Sequence, residues 1–123
     1  MENLEIKITE NKGRGVFTKT GFDLKEIIEI CPLIIIPREQ REVIDKTELY
    51  NYYFVLQDES IAIALGYGSL YNHEKKANAK YILDLENKNL IIQSIKRAKP
   101  GEEVTINYNG RPKDKTSVWF ETK

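Results

Sequence analysis

The sole histidine of the sequence, His73, follows Asn72 in a polar stretch that ends at Asn78. Tyr67, with a glycine on either side, comes shortly before it. No second histidine and no nearby cysteine could complete a zinc site, so we expect no bound metal. Ser69 lacks the glycine-flanked turn that presents a nucleophilic serine. The segment therefore favours binding chemistry, in which polar groups hydrogen-bond the edge of a flat heterocycle and aromatic rings form apolar walls.

Two other segments could contribute to the same chemistry. Gly13 and Gly15 flank a single residue, and such a pair lets the backbone turn tightly and approach a ligand closely. The pattern is not a dinucleotide fingerprint, because Thr18 stands where the third glycine is required. Residues 103–108 alternate as a strand and end in Tyr108, whose phenol either caps the core or stands where a pocket opens.

Taken in order, these segments resemble the motifs of the SET-domain family of protein lysine methyltransferases. The matching stretches are 13–17, 72–78 and 101–108, which together span most of the chain. Residues 62–68 are most similar to the minimal, stand-alone SET proteins of viral and bacterial type. The chain departs from the usual motifs at Glu74, Ala77 and Asn107. The resemblance implies an S-adenosylmethionine-dependent enzyme that methylates the side-chain amine of a protein lysine.

The resemblance also implies which residues form the site. Those that would bind S-adenosylmethionine are Lys12, Gly13, Arg14, Gly15, Asn72, His73 and Trp119. The first four would line its methionine end, the Asn–His pair would hold the adenosine, and the tryptophan would stack on the adenine. Tyr108 would be the catalytic tyrosine. Tyr52 and Tyr67 would be substrate-binding walls of the lysine channel, with Tyr53 as a less favoured substitute for Tyr52.

Methyl transfer to lysine requires a neutral amine, since an ammonium group has no lone pair. A free lysine has a pKa near 10.4, so its deprotonation at pH 7 costs about 4.6 kcal/mol. A narrow aromatic channel lowers that pKa by desolvation, and the sulfonium of the cofactor lowers it further by like-charge repulsion. Tyrosines suit the channel walls because they pack around the alkyl stem and tolerate a cation against their rings. This chemistry needs neither a metal nor a catalytic triad.

The elements that must position these residues are predicted to be mostly β-strands. Short apolar runs rich in isoleucine and tyrosine recur between turn signals. Residues 4–8 alternate as a strand, and 80–85 and 90–95 predict a hairpin across an asparagine-rich turn. Residues 27–36 predict a strand pair or a bent strand broken at Pro32. Helix is expected only between Pro37 and Phe54. The family resemblance implies a β-clip-like SET fold of several small sheets, little helix and a C-terminal pseudoknot.

Composition adds limits to this interpretation. The 123 residues predict one SET domain over 1–123, with 109–123 as a short post-SET-like tail. Nineteen basic residues balance nineteen acidic ones, which disfavours nucleic acid or an anionic membrane as a partner. Cys31, in apolar surroundings, predicts a buried inert thiol. Neither a signal peptide nor a membrane span is visible, so we expect a cytoplasmic protein, or one in the host-cell nucleus for a viral or secreted effector.

Two function classes remain as alternatives. One is a non-catalytic SET-like module that binds a cofactor or a peptide, with turnover lost through the altered loop from Glu74 to Ala77. The other is a β-barrel that binds single-stranded nucleic acid on exposed tyrosines and lysines, which the zero net charge disfavours. The expected partner is a lysine-containing protein, such as a histone or a chromatin-like protein. The isoleucine-rich first half could also form a homodimer interface.

Overall fold

The computed structural model describes residues 2–107 and the backbone of 121 and 122. Its strands are β1 (Leu4–Ile8), β2 (Arg14–Thr18), β3 (Ile27–Ile36), β4 (Tyr53–Val55), β5 (Ile61–Ala64), β6 (Asn72–His73), β7 (Ala79–Asp84), β8 (Asn89–Ser94), β9 (Glu103–Ile106) and β10 (Glu121–Thr122). Within the described residues, helix is confined to α1 (Arg41–Ile44) and two 3-10 turns, Arg38–Gln40 and Glu48–Asn51. The mostly-β prediction is confirmed, as is the position of the helical segment.

The predicted hairpin is present as β7 and β8. The two strands pair from Ala79 opposite Ser94 to Asp84 opposite Asn89, and their inward residues alternate with half-buried ones. Lys88 in the connecting turn has a φ of 55°, a left-handed conformation that closes the turn. The period-2 pattern of apolar residues therefore predicted the two strands of this hairpin, and the structure adds their register.

The predicted break at Pro32 is wrong, because β3 runs through the proline as one strand of ten residues. The strand changes partner at this position. Residues up to Pro32 pair with β8, and residues from Leu33 onward pair with β5. A proline has no N–H to donate to a ladder. It is tolerated here because it stands where one ladder ends and the next begins.

The strands follow the order β1-β2-β9-β7-β8-β3-β5-β4-β10, with β6 paired to β9. β9 thus lies between β2 and β7, which are far from it in sequence. β6 and β9 are parallel, with Asn72 opposite Thr105 and His73 opposite Ile106. This pairing joins two of the three sequence motifs directly. The predicted C-terminal pseudoknot would form near Tyr108, which lies outside the described residues.

The core lies where these strands meet. Val16 of β2, Leu90 and Ile92 of β8, and Val104 and Ile106 of β9 have no exposed surface. Both faces of β9 are covered, since Thr105 is buried as well as its apolar neighbours. No helix in the described part of the chain is long and apolar enough to cross a membrane. Because both of its faces are covered, the central strand β9 is held in place beside the motif residues.

Candidate active site

A cavity of about 290 Å³ opens where the predicted site residues meet. The described residues that line it are Lys12, Gly13, Arg14, Asn51, Tyr52, Ser69, Leu70, Tyr71 and Asn72. The cavity therefore brings together four residues predicted to bind the cofactor and one predicted wall of the lysine channel. They come from three separate stretches of the chain.

The glycine loop, defined as residues 12–15, is built on the turn between β1 and β2. Thr9 anchors it: its N–H and its hydroxyl both donate to the Gly13 carbonyl oxygen, at 2.7 and 2.9 Å. Gly13 has a φ of 71°, and no atom lies within 4 Å of the position that a Cβ would take. The space that a side chain would occupy at Gly13 is therefore open, and a ligand can approach the backbone closely there.

Gly15 has a different structural reason to be glycine. It is buried, and a Cβ there would lie 2.6 Å from Oε2 of Glu103 and 2.9 Å from Nδ2 of Asn72. Those two atoms are themselves hydrogen-bonded at 2.8 Å, and the same amide nitrogen donates to the Arg14 carbonyl oxygen at 3.0 Å. The absent side chain at Gly15 thus leaves room for the hydrogen bonds that join the glycine loop, β6 and β9.

A charged bridge crosses from the glycine loop to the residues after β6. Nζ of Lys12 donates to the His73 carbonyl oxygen at 3.2 Å and to Oε2 of Glu74 at 2.9 Å. The hydrogen bond between the two side chains, together with the attraction of their opposite charges, raises the pKa of Lys12 and lowers the pKa of Glu74. Glu74, where the family motif has serine, therefore supplies a contact to the loop.

Asn78 is a site residue to which sequence reasoning gave no role. Its Nδ2 donates to the Glu103 carbonyl oxygen at 2.8 Å, and its Oδ1 accepts from the Thr105 N–H at 3.0 Å. The side-chain amide thus mimics a peptide group and continues the ladder alongside β9. Its place at the end of the Asn-His motif was the available signal, but the sequence did not indicate which backbone it would contact.

Glu29 is a second residue that the sequence did not single out. Its carboxylate is buried in β3, where Oε1 accepts from the Tyr71 hydroxyl at 2.6 Å and Oε2 accepts from the Tyr67 N–H at 3.0 Å. Burial and the neighbouring carboxylate raise the pKa values of the Tyr71 phenol and the Cys31 thiol. The expected buried thiol is confirmed. A glutamate within an isoleucine run was the overlooked signal.

Five predicted site residues are not among the described lining of the cavity, and Gly15, described above, is one of them. His73 lies on β6 beside Lys12, and Tyr67 lies half-buried against the core next to the lining residues. Tyr108 and Trp119 fall outside the described residues. Tyr53, the less favoured substitute for Tyr52, is buried, and its hydroxyl is bound to Asp45 rather than directed to the cavity.

The comparisons with known proteins agree with this geometry. The family model for the SET domain matches residues 13–109, which is most of the chain. A histone-lysine N-methyltransferase of Schizosaccharomyces pombe, specific for H3 lysine-37, is 33% identical over 119 residues, covering 96% of this chain and 77% of that protein. The chain belongs to the SET-domain family.

Two further similarities support the assignment. The histone-lysine N-methyltransferase Set8 of Drosophila melanogaster is 28% identical over 127 residues, covering 92% of this chain but only 18% of that protein. A crystal structure of a Plasmodium falciparum protein described as a histone methyltransferase superposes with a TM-score of 0.72 at 29% identity, covering 87% of this chain and 93% of the other. The protein is a SET-domain protein lysine methyltransferase, and this family in general uses S-adenosylmethionine.

Proposed function

We propose that the 290 Å³ cavity binds S-adenosylmethionine for transfer of its methyl group to a protein lysine. The observation that supports this most is the meeting of the glycine loop, Asn72 and Tyr52 around one cavity. The residues fit the cofactor, because Gly13 leaves open space beside its backbone. Lys12, Gly13, Arg14 and Gly15 hold the methionine end. Asn72, His73 and Trp119 hold the adenosine.

When bound, the cofactor supplies an electrophilic methyl group on a positively charged sulfur. The chain's own residues then have to deliver a neutral lysine amine in line with it. Tyr52 and Tyr67 are proposed to enclose the lysine stem and to keep water from the ammonium group. Desolvation of this kind opposes the cost of about 4.6 kcal/mol for deprotonating a free lysine at pH 7. Tyr108 orients the amine by its hydroxyl.

The Tyr108→Phe variant tests this assignment. Removing one hydroxyl should lower methyl transfer about a hundredfold, because that group is proposed to orient the reacting nitrogen. The affinity for S-adenosylhomocysteine should change less than about threefold. Transfer of labelled methyl to a lysine-containing protein and calorimetric titration measure the two effects. Normal turnover in the variant would remove Tyr108 from the mechanism. Cofactor binding by the wild-type chain without any transfer would indicate the non-catalytic module instead.

The terminal tail, 109–123, is proposed to act as a post-SET-like tail of one domain over 1–123. Trp119 is its proposed contact with the adenine. In the Trp119→Ala variant, affinity for S-adenosylhomocysteine should fall about tenfold, since a base loses about 1–3 kcal/mol when its aromatic partner is removed. The melting temperature without ligand should stay close to that of the wild type. Unchanged affinity would contradict the stacking role.

Histone H3 is the proposed substrate, because the relative from Schizosaccharomyces pombe acts on H3 lysine-37. Incubation of the chain with labelled cofactor and each recombinant core histone should label H3 most strongly. H3 with arginine in place of that lysine is the matched control and should lose most of the label. Equal labelling of both H3 forms would exclude this target lysine.

A homodimer is proposed to form through the outer face of β3. Ile30 and Ile34 share this face and are 55% and 47% exposed, although they lie on a central strand. The zero net charge means that two copies do not repel each other. Ile30→Lys should lower the sedimentation coefficient of the dimer to that of a monomer. Ile8→Lys is the control, because Ile8 is 77% exposed elsewhere, on β1. A dimer that persists in Ile30→Lys would contradict this interface.

The proposed location is the cytoplasm, or the host-cell nucleus for a viral or secreted effector. The unpaired, buried thiol of Cys31 is compatible with a reducing compartment. A fluorescent fusion of the chain in its source cells should distribute with soluble cytoplasmic markers. Recovery with membranes would contradict the proposal.

A further inference from the structure

Glu29 is a buried carboxylate whose hydrogen bonds reach one wall of the cavity. It is 7% exposed, on a strand whose inward neighbours Cys31 and Leu33 are apolar. Burying a charge costs free energy unless hydrogen bonds compensate for it. The compensation comes from Tyr71 and from the main chain of Tyr67. Both of these hydrogen bonds therefore go to the segment that passes the cavity.

The wall segment, defined as residues 67–71, is bound by Glu29 at both ends. Oε2 accepts from the N–H of Tyr67 at its start, and Oε1 accepts from the hydroxyl of Tyr71 at its end. Between them, Ser69 and Leu70 line the cavity, as Tyr71 does. A single side chain on β3 therefore fixes both ends of this wall.

Lys12 and Asn72, which also line the cavity, have separate anchors. Asn72 is bound to the Arg14 carbonyl oxygen and to Glu103, and Lys12 is bound to Glu74. None of these hydrogen bonds involves Glu29. Loss of the Glu29 contacts should therefore displace the wall segment while the glycine loop and Asn72 keep their geometry.

We propose that Glu29 is a positioning residue for methyl transfer, acting through Tyr71 and the Tyr67 backbone to fix the wall segment. This inference rests on the proposed cofactor site. It assigns the wall segment to alignment of the substrate lysine, because the segment contains Tyr67, a proposed wall of the lysine channel, and none of the residues proposed to hold the cofactor. The carboxylate itself touches neither cofactor nor substrate. Its negative charge is not required, because a glutamine amide can accept from the Tyr67 N–H and donate to the Tyr71 oxygen.

The test compares four variants at a temperature where all are folded. Glu29→Met keeps the size of the side chain but removes both acceptors, and Tyr71→Phe removes one hydroxyl while keeping the carboxylate. Both should lower kcat/KM about tenfold or more, as expected for a displaced catalytic wall. Both should also speed amide hydrogen exchange in 67–71. Affinity for S-adenosylhomocysteine should stay within about twofold of the wild type.

Glu29→Gln should restore kcat/KM to within about threefold of the wild type, because it can satisfy both partners. Thr18→Val is the matched control: it also removes a buried hydroxyl, one that accepts from the Gly21 N–H at 2.9 Å, but at the far end of β2. Its exchange in 67–71 and its kcat/KM should be unchanged. Tyr71→Phe is the decisive variant where Glu29→Met does not fold.

Three results would overturn the positioning role. One is Tyr71→Phe with normal kcat/KM and normal exchange in 67–71. Another is Glu29→Gln as defective as Glu29→Met. The third is an equal fall in cofactor affinity and turnover, which would indicate general destabilisation. A wild-type chain that transfers no methyl group would refute the proposed function instead, and the exchange measurement would still test the contacts of Glu29.

Discussion

The two glycines of the glycine loop should fail in different ways when each is replaced by alanine. In Gly15→Ala, the new Cβ would lie 2.6 Å from Oε2 of Glu103 and 2.9 Å from Nδ2 of Asn72. Both atoms belong to side-chain ends that can move away. The cost is therefore set by the hydrogen bond they give up, about 2 kcal/mol for a bond to a charged group.

In Gly13→Ala, the new Cβ meets no atom within 4 Å. The cost there comes from the backbone, since a φ of 71° is left-handed and costs a residue with a Cβ about 1–2 kcal/mol. The two variants are thus expected to have similar stability, each melting roughly 4–8 °C below the wild type. Stability alone does not separate the two causes.

A double-mutant cycle with Glu103→Ala does separate them. Because Glu103 provides both the closest atom to the new Cβ and the hydrogen bond that is lost, Gly15→Ala should cost about 1–2 kcal/mol less in the Glu103→Ala background. Gly13→Ala should cost the same in both backgrounds. Urea unfolding followed by circular dichroism gives the six free energies of unfolding: those of the two backgrounds and of each glycine variant in both. A cost of Gly15→Ala that is unaffected by Glu103→Ala would refute this explanation of the second glycine.

Three further predictions concern the residues around β6. Asn78→Ala should lower the free energy of unfolding by about 3 kcal/mol, because two backbone groups of β9 lose their hydrogen-bond partners. A loss below about 1 kcal/mol in urea unfolding would contradict the stabilising role of the two Asn78 hydrogen bonds. The pKa of the Glu74 carboxyl, measured by carbon NMR, should lie below its ordinary value and should rise toward that value in Lys12→Met, which removes the hydrogen bond and the charge of Lys12. Since this pKa is lowered on folding, the pair stabilises the fold above the ordinary carboxyl pKa, and the contribution is lost as the pH falls through the lowered one. His73→Ala should weaken binding of S-adenosylhomocysteine or reduce stability without changing the number of methyl groups added, and unchanged affinity and stability in calorimetry would count against this.

Local patterns predicted the parts of the fold that depend on neighbouring residues. The alternation in β7 and β8 indicated the hairpin, and the helical segment lies between Pro37 and Phe54 as predicted, where the Thr47 hydroxyl accepts from the Leu49 N–H. The predicted break at Pro32 was wrong, because the effect of a proline on a strand depends on which strands pair with it there. A missing N–H interrupts a ladder only where the ladder would need it.

The sequence predicted several of the residues that meet at the cavity, but it did not predict the contacts between them. The order of the motifs brought Lys12, Gly13, Arg14, Tyr52 and Asn72 into one hypothesis, and they line one cavity. The roles of Gly15, Asn78 and Glu29 depend on partners far away in sequence, which a single sequence does not identify. The roles of Tyr108 and Trp119 stay predictions, because both residues lie outside the described part of the chain.

The parallel pairing of β6 with β9 has a consequence for synthesis of the protein in the cell. Lys12 and Glu74 are 62 positions apart, and Asn72 and Arg14 are 58 apart, yet both contacts need β9 in its place between β2 and β7. Contacts between such distant residues form slowly, because closing a long loop costs chain entropy first. A nascent chain that is still on the ribosome and has not released residues 103–106 therefore has no formed cavity, so methylation cannot begin before most of the polypeptide has been translated.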